Sequence, residues 1–163
     1  MENRFVRLIE VLTRHRVEFI VVGGIAAVLH GVPINTQDFD LVHERAPENV
    51  TRLLDALAEL NAIYRRDSRN LRPNASHLAG PGNQLLETGG LNFDVLGRID
   101  WGGEYADLLP GTELLAVGEH QVRVLTLDKL IEIKQKLTRP KDKLMLMQLE
   151  ATRDERDKAR LKQ

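Results

Sequence analysis

The chain of 163 residues contains no cysteine, which excludes disulfides, zinc–thiolate centres and thiol nucleophiles. Aromatic residues make up 4% of it, too few for a surface built on base-stacking rings. Neither sign of charge dominates. The formal net charge is −1, so no global field draws in nucleic acid or an anionic membrane. Long hydrophobic runs are missing too: no stretch approaches the ~20 apolar residues that span a bilayer. The opening MENRFVRLIEVLTRHRV is too charged for a secretory signal. These absences predict a cytoplasmic protein without membrane contact.

What is present is ordinary for a globular chain, 42% hydrophobic and 29% charged, and is enough for one core. Phe5, Leu8, Ile9 and Leu12 fall at helical spacing near the start. EFIVVGG is a short β-branched run ending in Gly23-Gly24, a buried strand feeding a turn. IAAVLHG predicts a short helix closed by Gly31, and DFDLVHE a second strand. Pro47 opens a helix with an apolar stripe through Val50, Leu53, Leu54, Leu57 and Leu60. Residues 65–83 lack periodicity and read as irregular. QLLETGGLNFDVL predicts a hairpin about Gly89-Gly90, and ELLAVGEHQVRVL another near Gly118-Glu119. Thr126 or Asp128 then caps a helix, and a last helix follows Arg139-Pro140. The sum is an α/β (α+β) domain with a mixed β-sheet of about five or six strands flanked by helices. It spans 1–150, with 151–163 as a charged C-terminal helix end.

Three aspartates carry the chemistry. Side chains alternate along a strand, so Asp38 and Asp40 point one way while Phe39 and Leu41 point into the packing layer. Their α-carbons lie about 6.5–7 Å apart, close enough to converge on shared metal ions. In LNFDVLG, Asp94 faces away from Phe93 and Val95; if its strand neighbours the first, the three carboxylates form one cluster. Without a cation such a cluster has raised pKa values, from desolvation and mutual repulsion. Oxygen-only ligands suit Mg2+ or Mn2+, as in two-metal phosphoryl transfer. Gly23 and Gly24 add a turn whose backbone can approach a phosphate closely at a helix start.

Gly23-Gly24, Asp38-Phe39-Asp40 and the later Asp94 of FDVL resemble the nucleotidyltransferase superfamily that includes DNA polymerase β. Its pattern is Gly-[Gly/Ser], a spacer, Asp-hydrophobic-[Asp/Glu], and a third carboxylate on a later strand. VVGGIAAVLHGVPINTQDFDLV, LNFDVLGRI and VLTLDKLIEIKQKLTRPKDKLMLMQLE further resemble small stand-alone nucleotidyltransferases related to abortive-infection toxins. The resemblance covers about residues 1–150 and implies a nucleotidyltransferase-like fold. It implies that Asp38, Asp40 and Asp94 are catalytic and hold the metal, with Asp94 helping to deprotonate an acceptor hydroxyl. Gly23 and Gly24 would cradle a nucleoside triphosphate, the substrate, with Lys134 reaching a phosphate. Gly24 stands where many active members have serine.

Other residues have weaker signals. Arg65, Arg66, Arg69 and Arg72 read as solubilising surface rather than as a steering patch. His30 reads as packing at a helix end, His43 as lying just past the metal strand, and Trp101 and Tyr105 as core or surface. The function expected is transfer of a nucleoside monophosphate to an acceptor hydroxyl on RNA, protein or a small molecule, by a monomer or homodimer. The alternative is a non-catalytic nucleotide-binding or toxin–antitoxin component that retains the fold.

Overall fold

The computed structural model describes residues 3–163. In chain order these form α1 (Asn3–Arg14), β1 (Phe19–Val22), α2 (Gly23–Leu29), β2 (Phe39–His43), α3 (Pro47–Glu59), β3 (Ile63–Tyr64), α4 (Ala75–Ala79), β4 (Asn83–Thr88) and β5 (Leu91–Leu96). After them come β6 (Arg98–Ile99), β7 (Gly103–Glu104), α5 (Tyr105–Leu108), a 3-10 turn, β8 (Thr112–Val117), β9 (His120–Leu125), α6 (Leu127–Gln135) and α7 (Pro140–Leu161). Among the described residues no helix is long and apolar enough to cross a membrane.

Seven strands make one mixed sheet in the order β3-β4-β5-β2-β1-β9-β8, and β6 and β7 form a separate ribbon. The expected five or six strands therefore become nine, because two-residue strands carry no period to read. The pairs β2–β5 and β1–β9 are parallel; the other pairs are antiparallel. Both expected hairpins form. Gly89 (φ +53°) and Gly90 (φ +81°) both take left-handed geometry, which a two-residue turn matching the strand twist requires.

Phe39, Leu41, Phe93 and Val95 are fully buried on the face covered by α1, where the Phe5 and Phe39 rings lie 5.8 Å apart. Asp40 and Asp94 alternate with them and so occupy the opposite face. Residues 65–83, expected to be irregular, contain α4. Its cap is reciprocal: Asn74 Oδ1 accepts from the His77 N–H at 2.9 Å, and His77 Nδ1 accepts from the Asn74 N–H at 3.2 Å. Histidine in the usual Glu/Gln place is why the pattern was not evident. Thr126, one of the two expected caps, is the one used: its Oγ1 accepts from the Lys129 N–H at 3.1 Å.

Candidate active site

The parallel pairing of β2 with β5 puts Asp40 directly opposite Asp94, and cross-strand partners share a face of the sheet. β1 ends at Val22, the partner of Asp40, and the chain turns there through Gly23 at φ +67°. A β-carbon on Gly23 would stand 2.6 Å from Asp40 Oδ2. The residue is thus glycine for two reasons, its left-handed backbone and the carboxylate pressed against it. Gly24 is explained separately: a β-carbon there would stand 2.7 Å from Thr36 Oγ1, so Thr36 occupies the space that a serine side chain would enter.

Asp40 is the most perturbed acid in the cluster. Burial, then repulsion from Asp94 and Asp38, raises its pKa from 3.8 to about 7. Its Oδ1 is buried with no hydrogen-bond partner, an orphaned acceptor of the kind that calls for a cation or a proton. Asp94 is also raised, by burial, against the pull of Arg65. Asp38 precedes β2 by one residue and is exposed, yet its charge raises the pKa of both neighbours. Among the described residues no three His, Cys, Asp or Glu side chains are gathered tightly enough to hold a metal as they stand.

The direct partner of Asp94 is Arg65, whose Nη2 donates to Asp94 Oδ1; the Arg65 side chain is only 16% exposed. The expectation of a solubilising surface is corrected for this residue. Arg65 follows β3, and its backbone N–H donates to the Leu85 carbonyl, so the sheet edge aims it inward. Sequence reasoning missed it because the pairing spans 29 positions and arises from a two-residue strand.

Above Gly23 and Asp40 lies a cleft of about 660 Å³. Its walls are the 33–36 segment, Lys134 of α6, and the start of α7 with Arg139, Lys141 and Asp142. Lys134 thus lines the same cleft as Gly23 and Gly24. Asp142, at the start of α7, is 1% exposed. It accepts from Lys134 Nζ at 2.9 Å and from Arg139 Nε at 2.7 Å. Burial pushes its pKa up, but hydrogen bonds from Arg139 and Lys134 outweigh that and hold it below the ordinary carboxylate range. Three cations against one buried anion leave this wall with an excess of positive charge.

The remaining candidates stand apart from the cleft. His43 is buried at the end of β2, with Nε2 2.7 Å from the Leu78 carbonyl and Nδ1 3.1 Å from that of Leu96. His30 Nε2 is 2.7 Å from the Leu125 carbonyl, consistent with packing at a helix end. Trp101 is exposed and the Tyr105 hydroxyl donates to Glu18 at 3.0 Å. Neither ring lines the cleft.

No protein-family model and no curated protein matches this chain. Solved structures do. The chain is similar to the lincomycin-bound lincosamide antibiotic adenylyltransferase LnuA, with a TM-score of 0.62 at 10% identity, covering 93% of this chain and 98% of that one. It is similar to ANT(2")-Ia in complex with adenylyl-2"-tobramycin, at 0.57 and 15%, covering 97% and 94%. A candidate nucleotidyltransferase from Thermotoga maritima gives 0.53 and 16%, covering 98% and 95%. The chain has the nucleotidyltransferase fold, an α+β architecture on a mixed seven-stranded sheet.

Proposed function

We propose that the chain is a nucleotidyltransferase that moves a nucleoside monophosphate from a nucleoside triphosphate to an acceptor hydroxyl. The observation that carries this reading is Asp40, orphaned at Oδ1 and paired in register with Asp94, lying against the Gly23 turn at the foot of a cation-walled cleft. The antibiotic adenylyltransferases that share the fold support it.

The donor set fits a hard divalent cation: carboxylate oxygens only, with raised pKa values and one unpartnered buried oxygen. Asp40 and Asp94 would hold Mg2+ or Mn2+, with Asp38 closing in from the strand mouth. Such an ion would supply charge neutralisation for the phosphates. The protein's own groups do the rest. Lys134 and Arg139, fixed by Asp142, meet the β- and γ-phosphates beside Gly23 and Gly24. The acceptor oxygen attacks the α-phosphorus, the bond to the β-phosphate oxygen breaks, and pyrophosphate leaves toward the cations. The hydroxyl proton passes to the carboxylate of Asp94.

One observation favours a second reading, a nucleotide-binding protein without turnover. Arg65 already pairs with Asp94 and would have to yield it. Incubation with each α-labelled triphosphate, Mg2+ and a panel of acceptors separates the two. We expect label transfer, abolished in Asp40→Ala and Asp94→Ala with the fold retained. Full transfer by Asp40→Ala would overturn the mechanism, and tight nucleotide binding with no transfer to any acceptor would favour the second reading.

A further inference from the structure

A second, smaller cavity of about 220 Å³ adjoins the cleft beneath α6. Leu96, Ile99, Leu125, Leu130, Ile133 and Leu137 line it, together with Asp100. Gly23, Asp40, Lys134 and Arg139 border both spaces, so the two meet at the carboxylate and the phosphate-side cations. Their chemistry differs. The cleft adds the charged Lys141 and Asp142 and the polar Asn35, Thr36 and Gln148, whereas the only charged residue the cavity adds is the acid Asp100 among aliphatic side chains.

Resting on the transferase reading, we propose that this cavity receives the acceptor, and that the acceptor is a compact, non-anionic alcohol with an aliphatic or alicyclic body. In-line displacement needs the attacking and leaving oxygens on opposite sides of phosphorus. Lys141, Asn35 and Thr36 line the large cleft and not the cavity, which puts pyrophosphate in the cleft and leaves the aliphatic side of Asp40 for the incoming hydroxyl. A volume below the usual 300–1,000 Å³ of drug-sized pockets admits a small molecule, or one ring of a larger one. A nucleic acid acceptor fits poorly. Its phosphates would approach Asp40 and Asp100, and no aromatic side chain lines the cavity to stack a base.

The test uses methyl-labelled full-length protein, Mg2+, α,β-methylene ATP and cyclohexanol as the probe, followed by NMR. We expect the nucleotide to shift the Leu144 and Met145 methyls of the large cleft. Millimolar cyclohexanol should then shift those of Ile99, Ile133 and Leu137. Leu137→Trp, which fills the cavity, should erase the cyclohexanol shifts and leave the nucleotide shifts in place. Unmoved cavity methyls overturn the proposal, as do cavity shifts caused by the nucleotide alone. Cyclohexanol shifts without any nucleotide binding overturn the acceptor role through failure of the transferase reading. Nucleotide binding without cyclohexanol shifts counts against this pocket alone. In the transfer assay, an RNA or a tyrosyl peptide labelled equally by the wild type and Leu137→Trp also overturns it.

Discussion

Replacing Asp40 with asparagine should stabilise the metal-free protein, and the gain should grow with pH. In the fold the carboxyl titrates at about 7, against an ordinary 3.8. The folded chain therefore binds more protons than the unfolded chain across that window, and stability falls as pH rises through it. At about 1.4 kcal/mol per pH unit, the penalty is roughly 1.5 kcal/mol at pH 5. It levels off at roughly 4 kcal/mol above pH 7. The asparagine side chain has the same shape and no charge to desolvate, and its amide can donate to Asp94. Urea melts in chelator at pH 5 and pH 8 measure the difference, which should widen by about 2–3 kcal/mol between the two. Saturating Mg2+ should stabilise the wild type increasingly as pH rises, because the ion and the proton compete for one carboxylate. Asp94, raised by burial against Arg65, keeps a residual slope in the variant. Equal stabilities of wild type and Asp40→Asn at pH 8 without metal would refute the argument from burial and repulsion.

Arg65→Gln should lower metal-free stability by about 1–3 kcal/mol, since a partly buried carboxylate loses its charged partner. It should also tighten Mn2+ binding, read by paramagnetic resonance; weaker Mn2+ binding would mean that Arg65 helps build the metal site instead of competing for it. Asp142→Asn removes a negative charge from the cleft wall, so net charge alone predicts tighter inorganic triphosphate binding. Loss of the 2.9 and 2.7 Å bonds that fix Lys134 and Arg139 predicts weaker binding, together with a stability cost of about 1–2 kcal/mol from the weakened charge-assisted hydrogen bonds, since the cations themselves are 23% and 61% exposed. Titration calorimetry decides between them, and we expect the weaker value. Gly24→Ser should be destabilising in the wild type and rescued in part by Thr36→Ala, which removes the 2.7 Å contact; a failed rescue in thermal melts would place the constraint on the backbone.

How much of this was legible in the sequence follows from the range of each signal. The Asp-Phe-Asp alternation and the Gly-Gly turn are local, and the structure keeps the reading of Asp40 against the Phe39 packing face. The same-face placement of Asp94 needed the neighbouring of β2 and β5, which the sequence offered only as a condition and the parallel register fulfils. Asp38 shows the limit of strict alternation: at the first residue outside the strand, the backbone is no longer held by the ladder, and the side chain reaches solvent while its charge still reaches the pair. Arg65 and Asp142 were harder to read for one shared reason. A charged residue in a polar-looking segment reads as surface, because its burial is supplied by elements far away in sequence. The partner of Arg65 is 29 residues on, and Asp142 is enclosed where α6 and α7 cross, with Lys134 eight residues back. Tertiary pairing alone brings the opposite charge to Arg65, whereas Asp142 has Arg139 three residues back at the same helix start as well as Lys134 from α6. Composition could not distinguish them from Arg66 or Lys143, and what sets them apart is which carboxylate or cation the fold leaves in need of a partner.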